Sequence, residues 1–364
     1  MKKVLVVFGT RPEAIKMAPI VLELKKHPRH IKTVVCVTAQ HRHMLDQVLS
    51  IFKIKPDVDL NIMRKNQDLT TLTINTMKKI HGVLKTVKPD IVLVQGDTTT
   101  AMVVGLECFY QKIKIGHVEA GLRTFDRFHP FPEEVNRRIL SSVADYHFAP
   151  SKQAVKYLLK EGIRKSTIYH TGNPSIDALL MTLKKNKKKK PVFNTKKKLI
   201  LVTAHRRENF GKPFGNICKA LMKIALRNDD VEIVYPVHLN PNVRKPVFSI
   251  LSQSDRVHLI EPLEYDGFAL MMSKAHIVLT DSGGVQEEAP SIGKPVLVMR
   301  KTTERPEVVK AGAAKLVGTS VKSIVDNVEK VLHDKKVYTR MSRSASPYGK
   351  GDASRKIVRA LHIV

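Results

Sequence analysis

The sequence has no tryptophan, and aromatic residues make up only 5% of its 364 positions. So few rings leave little for the base-stacking platforms of single-strand nucleic-acid modules. Cysteine is scarce too. Cys36, Cys108 and Cys218 are odd in number and far apart, which suggests neither a disulfide framework nor a zinc site. No apolar run approaches the roughly 20 residues needed to cross a bilayer. Two lysines follow Met1, but the apolar run behind them ends at Phe8, too short for a secretory leader. The expectation is a cytoplasmic protein with no membrane segment. Acidic residues are outnumbered, 33 Asp and Glu against 63 Lys and Arg, for a net charge of +30. That balance would suit a polyanion partner. No helix-turn-helix, RNP-type aromatic strand or zinc finger accompanies it, so a lysine-decorated surface is the simpler account and no specific nucleic-acid partner is expected.

What is present is a repeating pattern. Short β-branched runs, KVLVVF (3–8), TVVCVT (33–38), DIVLVQ (90–95), KIGHVE (114–119), YHFAP (146–150) and STIYHT (166–171), alternate with amphipathic stretches. One stretch places Leu69, Leu72, Met77, Ile80 and Leu84 near helical spacing. Strands alternating with helices predict βαβ units and a parallel sheet. Lysines then crowd residues 184–198, KKNKKKKPVFNTKKK, where mutual repulsion and Pro191 argue for a solvated linker. The pattern restarts with KLILVT (198–203), VEIVYPV (231–237), RVHLIE (256–261), HIVLTD (276–281), PVLVM (295–299) and AAKLVG (313–318). The expected fold is therefore α/β: a Rossmann-like domain over 1–175, the linker 184–198, and a second Rossmann-like domain over 199–349, with a cleft between them.

Open α/β sheets bind ligands beyond the carboxyl ends of their strands, so the turns there carry the chemistry. After the first strand Gly9 is followed by Arg11, Pro12, Glu13 and Lys16, and the G-x-G-x-x-G of dinucleotide binding is missing. Asp281-Ser282-Gly283-Gly284 ends a later strand and opens a helix, which suits a phosphate; Glu288, one turn in, suits ribose hydroxyls. Arg305 follows the next strand. Asp97, Glu119 and Glu133 come from turns at one edge of the first sheet. Two of them have a structural alternative: Asp97 as a helix cap, and Glu133, with Glu134, as i+4 partners of Arg137 and Arg138 at a helix start, with Pro132 in first position. Gathered together, carboxylates push each other's pKa apart and prepare an acid and a base. His205, beside Arg206 and Arg207, follows the first strand of the second half.

Taken in order, GTRPEAIKMAP, TAQHRHMLDQVL, GDTTT, HVEAGLRT, FPEEVNRR, TAHRREN, PVHLNPNVR, DSGGVQEEAPS, GKPVLVMR and TTERPEVV resemble the non-hydrolysing UDP-N-acetylglucosamine 2-epimerases, from about residue 4 to SPYGKGDAS (346–354). The resemblance implies a GT-B fold, two Rossmann-like domains facing each other across a central cleft, with a C-terminal helix (about 350–364) crossing back to the first. It implies interconversion of UDP-GlcNAc and UDP-ManNAc without NAD or an essential metal, a homodimer, and a product used for bacterial surface polysaccharide. It assigns catalysis to Asp97, Glu119, Glu133 and His205. Substrate binding falls to Arg11, Lys16, Phe268, Ser282, Gly283, Gly284, Glu288 and Arg305. A second, allosteric UDP-GlcNAc would meet Gln40, His43 and Arg207. The chain departs from the family in EPLEYDGF (261–268), where relatives often read EPQEYLPF, at Lys301, where relatives often have Asp, and at His43.

Overall fold

The structure is a computed structural model and describes residues 1–38, 42–62 and 67–362; the side chains of residues 42 and 43 are also outside the description. The chain divides into two compact units, Met1–Ala178 with Tyr348–Val364, and Leu179–Pro347.

The first unit is built on seven strands: β1 (Lys2–Phe8), β2 (Ile31–Val37), β3 (Val58–Asp59), β4 (Ile91–Gln95), β5 (Lys114–Val118), β6 (Tyr146–Ala149) and β7 (Ile168–His170). All pair in parallel, in the order β3-β2-β1-β4-β5-β6-β7. Val4 to Phe8 and Ile91 to Gln95 are buried without alternation, as expected of central strands with helices on both faces. Leu5, Val7, Val92 and Val94 pack with Leu72, Ile80, Leu84 and Leu140 of the flanking helices. Helix Leu69–Val87 is started by Asp68, whose Oδ1 accepts from Thr71 N at 2.6 Å. Its buried stripe is Leu72, Thr76, Ile80 and Leu84; Leu69 is 42% exposed and Met77 only half-buried. The periodicity over-weighted apolar residues here, because the i+4 step from Leu72 falls on a threonine.

The second unit has six strands, β8 (Lys198–Thr203), β9 (Val231–Pro236), β10 (Val257–Ile260), β11 (Ile277–Thr280), β12 (Val296–Val298) and β13 (Ala314–Leu316). They too are parallel, ordered β10-β9-β8-β11-β12-β13. Residues 186–197 form no regular element between helix Pro174–Lys185 and β8. They are tied down nonetheless: Phe193 lies against the His258 ring at 4.2 Å, and Lys189 Nζ pairs with Asp266 Oδ2 at 2.9 Å.

Both sheets reverse strand order once, between β1 and β4 and between β8 and β11. That switch point is where an open parallel sheet leaves a crevice at its carboxyl end. The turns after β1, β4 and β5, and those after β8 and β11, carry most of the residues singled out in the sequence; Phe268 follows β10 and Arg305 follows β12.

The first unit is closed by the end of the chain. Helix Ala353–Ala360 packs on helix Arg11–Leu24. Buried Asp177 accepts from Ala353 N at 3.1 Å, Ser354 N at 2.9 Å and Ser354 Oγ at 2.5 Å, and Asn173 N donates to Tyr348 O at 2.8 Å.

Candidate functional site

In the first unit the residue after β5 is Glu119, with φ of 66°. A non-glycine residue in this left-handed region carries strain of order 1–3 kcal/mol. Its carboxylate is held from three sides: Oε1 accepts from Lys16 Nζ at 2.5 Å and from Asn173 Nδ2 at 2.9 Å, and Oε2 accepts from Gln95 Nε2. Lys16 lies one turn into helix Arg11–Leu24, so the cationic turn after β1 reaches the carboxylate after β5. Gly96 precedes Asp97; its φ of 72° favours glycine, and its carbonyl accepts from His117 Nε2 at 2.7 Å. His117 is fully buried, and burial holds it down at about 3, against the opposing pull of that hydrogen bond. It is therefore the neutral Nε2–H tautomer, and it fixes the turn that presents Asp97.

Asp97 does not cap the following helix. Thr98 does, accepting from Ala101 N at 3.0 Å. The Asp97 carboxylate instead accepts from Arg137 Nε and Nη2, both at 2.8 Å on Oδ2, and its backbone carbonyl accepts from Asn136 Nδ2 at 2.8 Å. The two glutamates of the FPEE run separate in role. Glu134 is fully buried and structural: it accepts from Thr124 N, Phe125 N and Arg137 Nη1 at 2.9–3.2 Å. Glu133 makes no ion pair with Arg137, which is taken by Glu134 and Asp97, and its Oε2 is sealed from solvent with no hydrogen-bond partner among the described residues. Pro132 is the N-cap of helix Glu133–Val143, one position earlier than the sequence suggests. Arg11 opens helix Arg11–Leu24 and is half-buried.

Glu13, absent from the sequence-based selection, anchors this edge. It is buried, accepts from Gly9 N at 3.1 Å, Thr10 N at 2.7 Å and Thr98 Oγ1 at 2.8 Å, and so joins the turns after β1 and β4. Burial raises its pKa while those hydrogen bonds oppose the rise. The Thr10-x-x-Glu13 spacing of a capping box was the available signal. Arg123 is structural as well, forked onto Glu161 at 2.6–2.8 Å.

In the second unit Asp281 follows β11 and is fully buried. Its Oδ2 accepts from His205 N at 2.9 Å, Arg206 N at 2.8 Å and Asn209 Nδ2 at 3.2 Å, which shapes the turn after β8. The His205 ring stacks on His238 at 5.3 Å. Burial lowers the His205 pKa; Asp281 opposes this, and His238 and Arg206 reinforce it, so the free imidazole is neutral at pH 7. Ser282 is the N-cap of helix Gly283–Ser291, but its side chain does not cap it. A Cβ at Gly283 would lie 3.3 Å from Arg305 Cζ, 3.4 Å from Arg305 Nη1 and 3.6 Å from Arg206 Nη2. Two guanidinium groups thus close on the glycine that opens the helix. Nothing lies within 4 Å of the corresponding point at Gly284.

Arg305 is aimed by Glu287, whose Oε1 accepts from its Nε at 2.7 Å. Glu288, one residue on and buried, accepts from Tyr265 Oη at 3.3 Å. Tyr265 begins helix Tyr265–Lys274, which also carries the half-buried Phe268. Arg207 is exposed in a 3-10 turn. Gln40 and the side chain of His43 lie outside the described residues. Arg206, Glu287 and Tyr265 were missed as site residues; Arg206 was visible only as one of two adjacent arginines, and the others have ordinary helical readings. No group of three or more His, Cys, Asp and Glu is placed to hold a metal among the described residues, and no helix there is long and apolar enough to cross a membrane.

The first edge therefore offers carboxylates set by cations, and the second offers cations set by carboxylates, with a helix N-terminus at their focus. The second arrangement suits a diphosphate; the first suits proton transfer. A family model described as UDP-N-acetylglucosamine 2-epimerase matches residues 22–362. The chain is 52% identical to the UDP-N-acetylglucosamine 2-epimerase of Campylobacter jejuni, covering 99% of this chain and 97% of that one. It is 55% identical to that of Bacillus subtilis, with 99% and 94% covered. Among solved structures, UDP-GlcNAc 2-epimerase from Neisseria meningitidis bound to UDP-GlcNAc superposes with a TM-score of 0.92 at 51% identity over 99% of each chain. The Methanocaldococcus jannaschii enzyme in complex with UDP-GlcNAc and UDP gives 0.84 at 35% identity over the whole of both. These likenesses place the two parallel sheets and their helices in the GT-B class of α/β fold, and the chain belongs to the UDP-N-acetylglucosamine 2-epimerase family.

Proposed function

We propose that the protein inverts C2 of the sugar in UDP-N-acetylglucosamine to give UDP-N-acetylmannosamine, reversibly and without hydrolysis. The observation that carries this reading is the set of three turn carboxylates in the first unit: Glu119 fixed by Lys16, Asp97 fixed by Arg137, and Glu133 with an unpartnered buried oxygen. The C2–H bond is only weakly acidic, so its removal must be coupled to departure of a good leaving group. A carboxylate takes the C2 hydrogen as a proton. The C–H electrons form a C1=C2 double bond, and the C1–O bond breaks with its electron pair leaving on the UDP oxygen. This gives 2-acetamidoglucal and UDP. A carboxylic acid then returns a proton to the opposite face of C2 while the UDP oxygen re-forms its bond at C1. Electrons and protons balance, so the scheme calls for no nicotinamide.

The second unit supplies the other requirement, a fixed positive field for the diphosphate as its charge grows. Ser282, Gly283, Gly284, Arg305 and His205 serve the diphosphate, Glu288 the ribose and Phe268 the uracil side; Arg11 and Lys16 line the sugar end in the first unit. Bound UDP-GlcNAc and UDP in the related structures support the choice of ligand. The sequence resemblance further supports a cytoplasmic homodimer whose product enters surface-polysaccharide synthesis. It also supports activation by a second UDP-GlcNAc through Gln40, His43 and Arg207.

A proton NMR time course of UDP-GlcNAc with the purified protein in D2O tests the reading. UDP-ManNAc should appear, with deuterium entering C2. Retention of the original C2 hydrogen would overturn the elimination scheme. Release of free ManNAc with UDP would instead mark a hydrolysing epimerase, and turnover only with an added acceptor would mark a GT-B glycosyltransferase.

A further inference from the structure

We propose that Asn173 is a positioning residue for Glu119: its side-chain amide, held from behind by the returning end of the chain, sets the direction of the carboxylate. The proposal rests on the elimination reading, in which Glu119 is one of the acids that serve the sugar, and adds to it a residue that acts through Glu119.

Asn173 follows β7, the edge strand, whereas Glu119 follows β5, and β6 lies between them. The turn after β7 thus bends back across two strand spacings, about 10 Å, and brings Asn173 Nδ2 to 2.9 Å from Glu119 Oε1. Both residues are buried. The amide has one orientation open to it. Its Oδ1 accepts from Ser175 N at 3.1 Å, so the end that carries the hydrogens faces the carboxylate. The backbone is fixed as well. Asn173 N donates to Tyr348 O at 2.8 Å, and Asn173 O accepts from Ile176 N at 3.1 Å. Gly172, with φ of 86°, lies so close to the returning segment that a Cβ there would stand 2.8 Å from Tyr348 O. All these contacts lie within the first unit.

A simpler role for this asparagine is to cap helix Pro174–Lys185, with Pro174 in first position. The cap uses only Oδ1, and an aspartate or serine would serve it as well. The NH2 group is the part the cap does not need, and it is the part that meets Glu119. Lys16, on the same oxygen, does a different job. An ammonium on a flexible four-carbon stem supplies charge but little direction, whereas a planar amide fixed at both ends supplies direction. Glu119 needs that, because its backbone sits at a φ of 66° that persists only under constraint. Misplacing a reacting group by about 1 Å can cost roughly 100-fold in rate.

The test uses Asn173→Ser and Asn173→Asp, which both keep a capping oxygen and lose the donor to Glu119. Steady-state epimerisation of UDP-GlcNAc and calorimetric binding of UDP are measured on each. In Asn173→Ser, kcat should fall about 30-fold, with KM and UDP affinity changed less than about threefold. In Asn173→Asp, which sets a second carboxylate against the first, kcat should fall about 100-fold or more. Asn173→Ser carries the test alone should the buried charge prevent folding. Added to Glu119→Gln, Asn173→Ser should cost less than about a further twofold, because its route to the reaction is already removed. Near-normal kcat in Asn173→Ser, a loss confined to KM, or a full 30-fold further loss on the Glu119→Gln background would each overturn the proposal while leaving epimerisation intact. A wild-type protein that does not epimerise UDP-GlcNAc would overturn the elimination reading and the proposal together.

Discussion

The two units share a strand order and carry opposite chemistry at the same place in it. In each, the sheet reverses between its first strand and the strand after the third, and candidate residues follow those two strands and their neighbours. In the first unit the candidate groups are acidic and the cations are supports: Lys16 for Glu119, Arg137 for Asp97. In the second the candidate groups are cationic and the acids are supports: Asp281 for the turn carrying His205 and Arg206, Glu287 for Arg305. Topology thus decides where a site forms and leaves its sign to a handful of turn residues.

The contrast is sharpest if acids of the first unit govern turnover alone. Asp97→Asn and Glu133→Gln should each lower kcat by about 10³-fold, with UDP binding and the thermal melt little changed; near-normal turnover in either removes that residue from the chemistry. Next is the supporting acid of the second unit. Asp281→Asn weakens or loses three hydrogen bonds to a buried charge, and should lower unfolding stability by about 2–3 kcal/mol and weaken UDP binding at least tenfold. A variant that binds UDP normally would show that this turn does not position the cations.

A pH experiment separates the units in another way. His117 has a folded pKa of about 3 against an ordinary 6.5, so the unfolded chain takes up its proton first. Its contribution to stability is full above pH 6.5 and drains away as pH falls toward 3. His117→Gln should make the loss of stability between pH 7 and pH 4 shallower by roughly 3 kcal/mol in denaturant titrations; an unchanged slope would place the acid sensitivity elsewhere. The smallest expected effect is at Gly283. Alanine fits the helix there but would press on the tip of Arg305. UDP affinity should fall about tenfold with stability altered by less than about 0.5 kcal/mol.

Most of the fold was legible in the sequence because buried parallel strands are continuous apolar runs, and such runs do not depend on distant partners. The carboxyl ends were read one residue long at KIGHVE and HIVLTD, where the strands stop at Val118 and Thr280. The residues beyond them, Glu119 and Asp281, belong to the turns. The two-residue strand β3 was invisible, since an edge pairing of that length has no pattern of its own. Site legibility followed a similar line. Residue types that stand out in a turn, such as Asp97, Glu119 and the Ser282-Gly283-Gly284 run, were found directly. What could not be read was pairing across the sheet edge. Nothing local shows that Arg137 turns to Asp97 and Glu134 and leaves Glu133 aside, that Glu13 knots two turns 85 residues apart, or that Arg206 lacks an acid among the described residues while Arg305 has one. These distinctions arise from three-dimensional neighbours, and they separate the acids that brace from those that remain available.

Asp177 gives the first unit a dependence on chain order. Its carboxylate receives Ala353 N, Ser354 N and Ser354 Oγ, and Tyr348 is buried against residues 172–173. The last part of this unit to leave the ribosome is therefore synthesised after the whole of the second. During translation the half that is begun first must wait, with a carboxylate and a hydrophobic seat vacant, until the other half has been made. Chains stopped short of Tyr348 would be left with a finished second unit and an unsealed first.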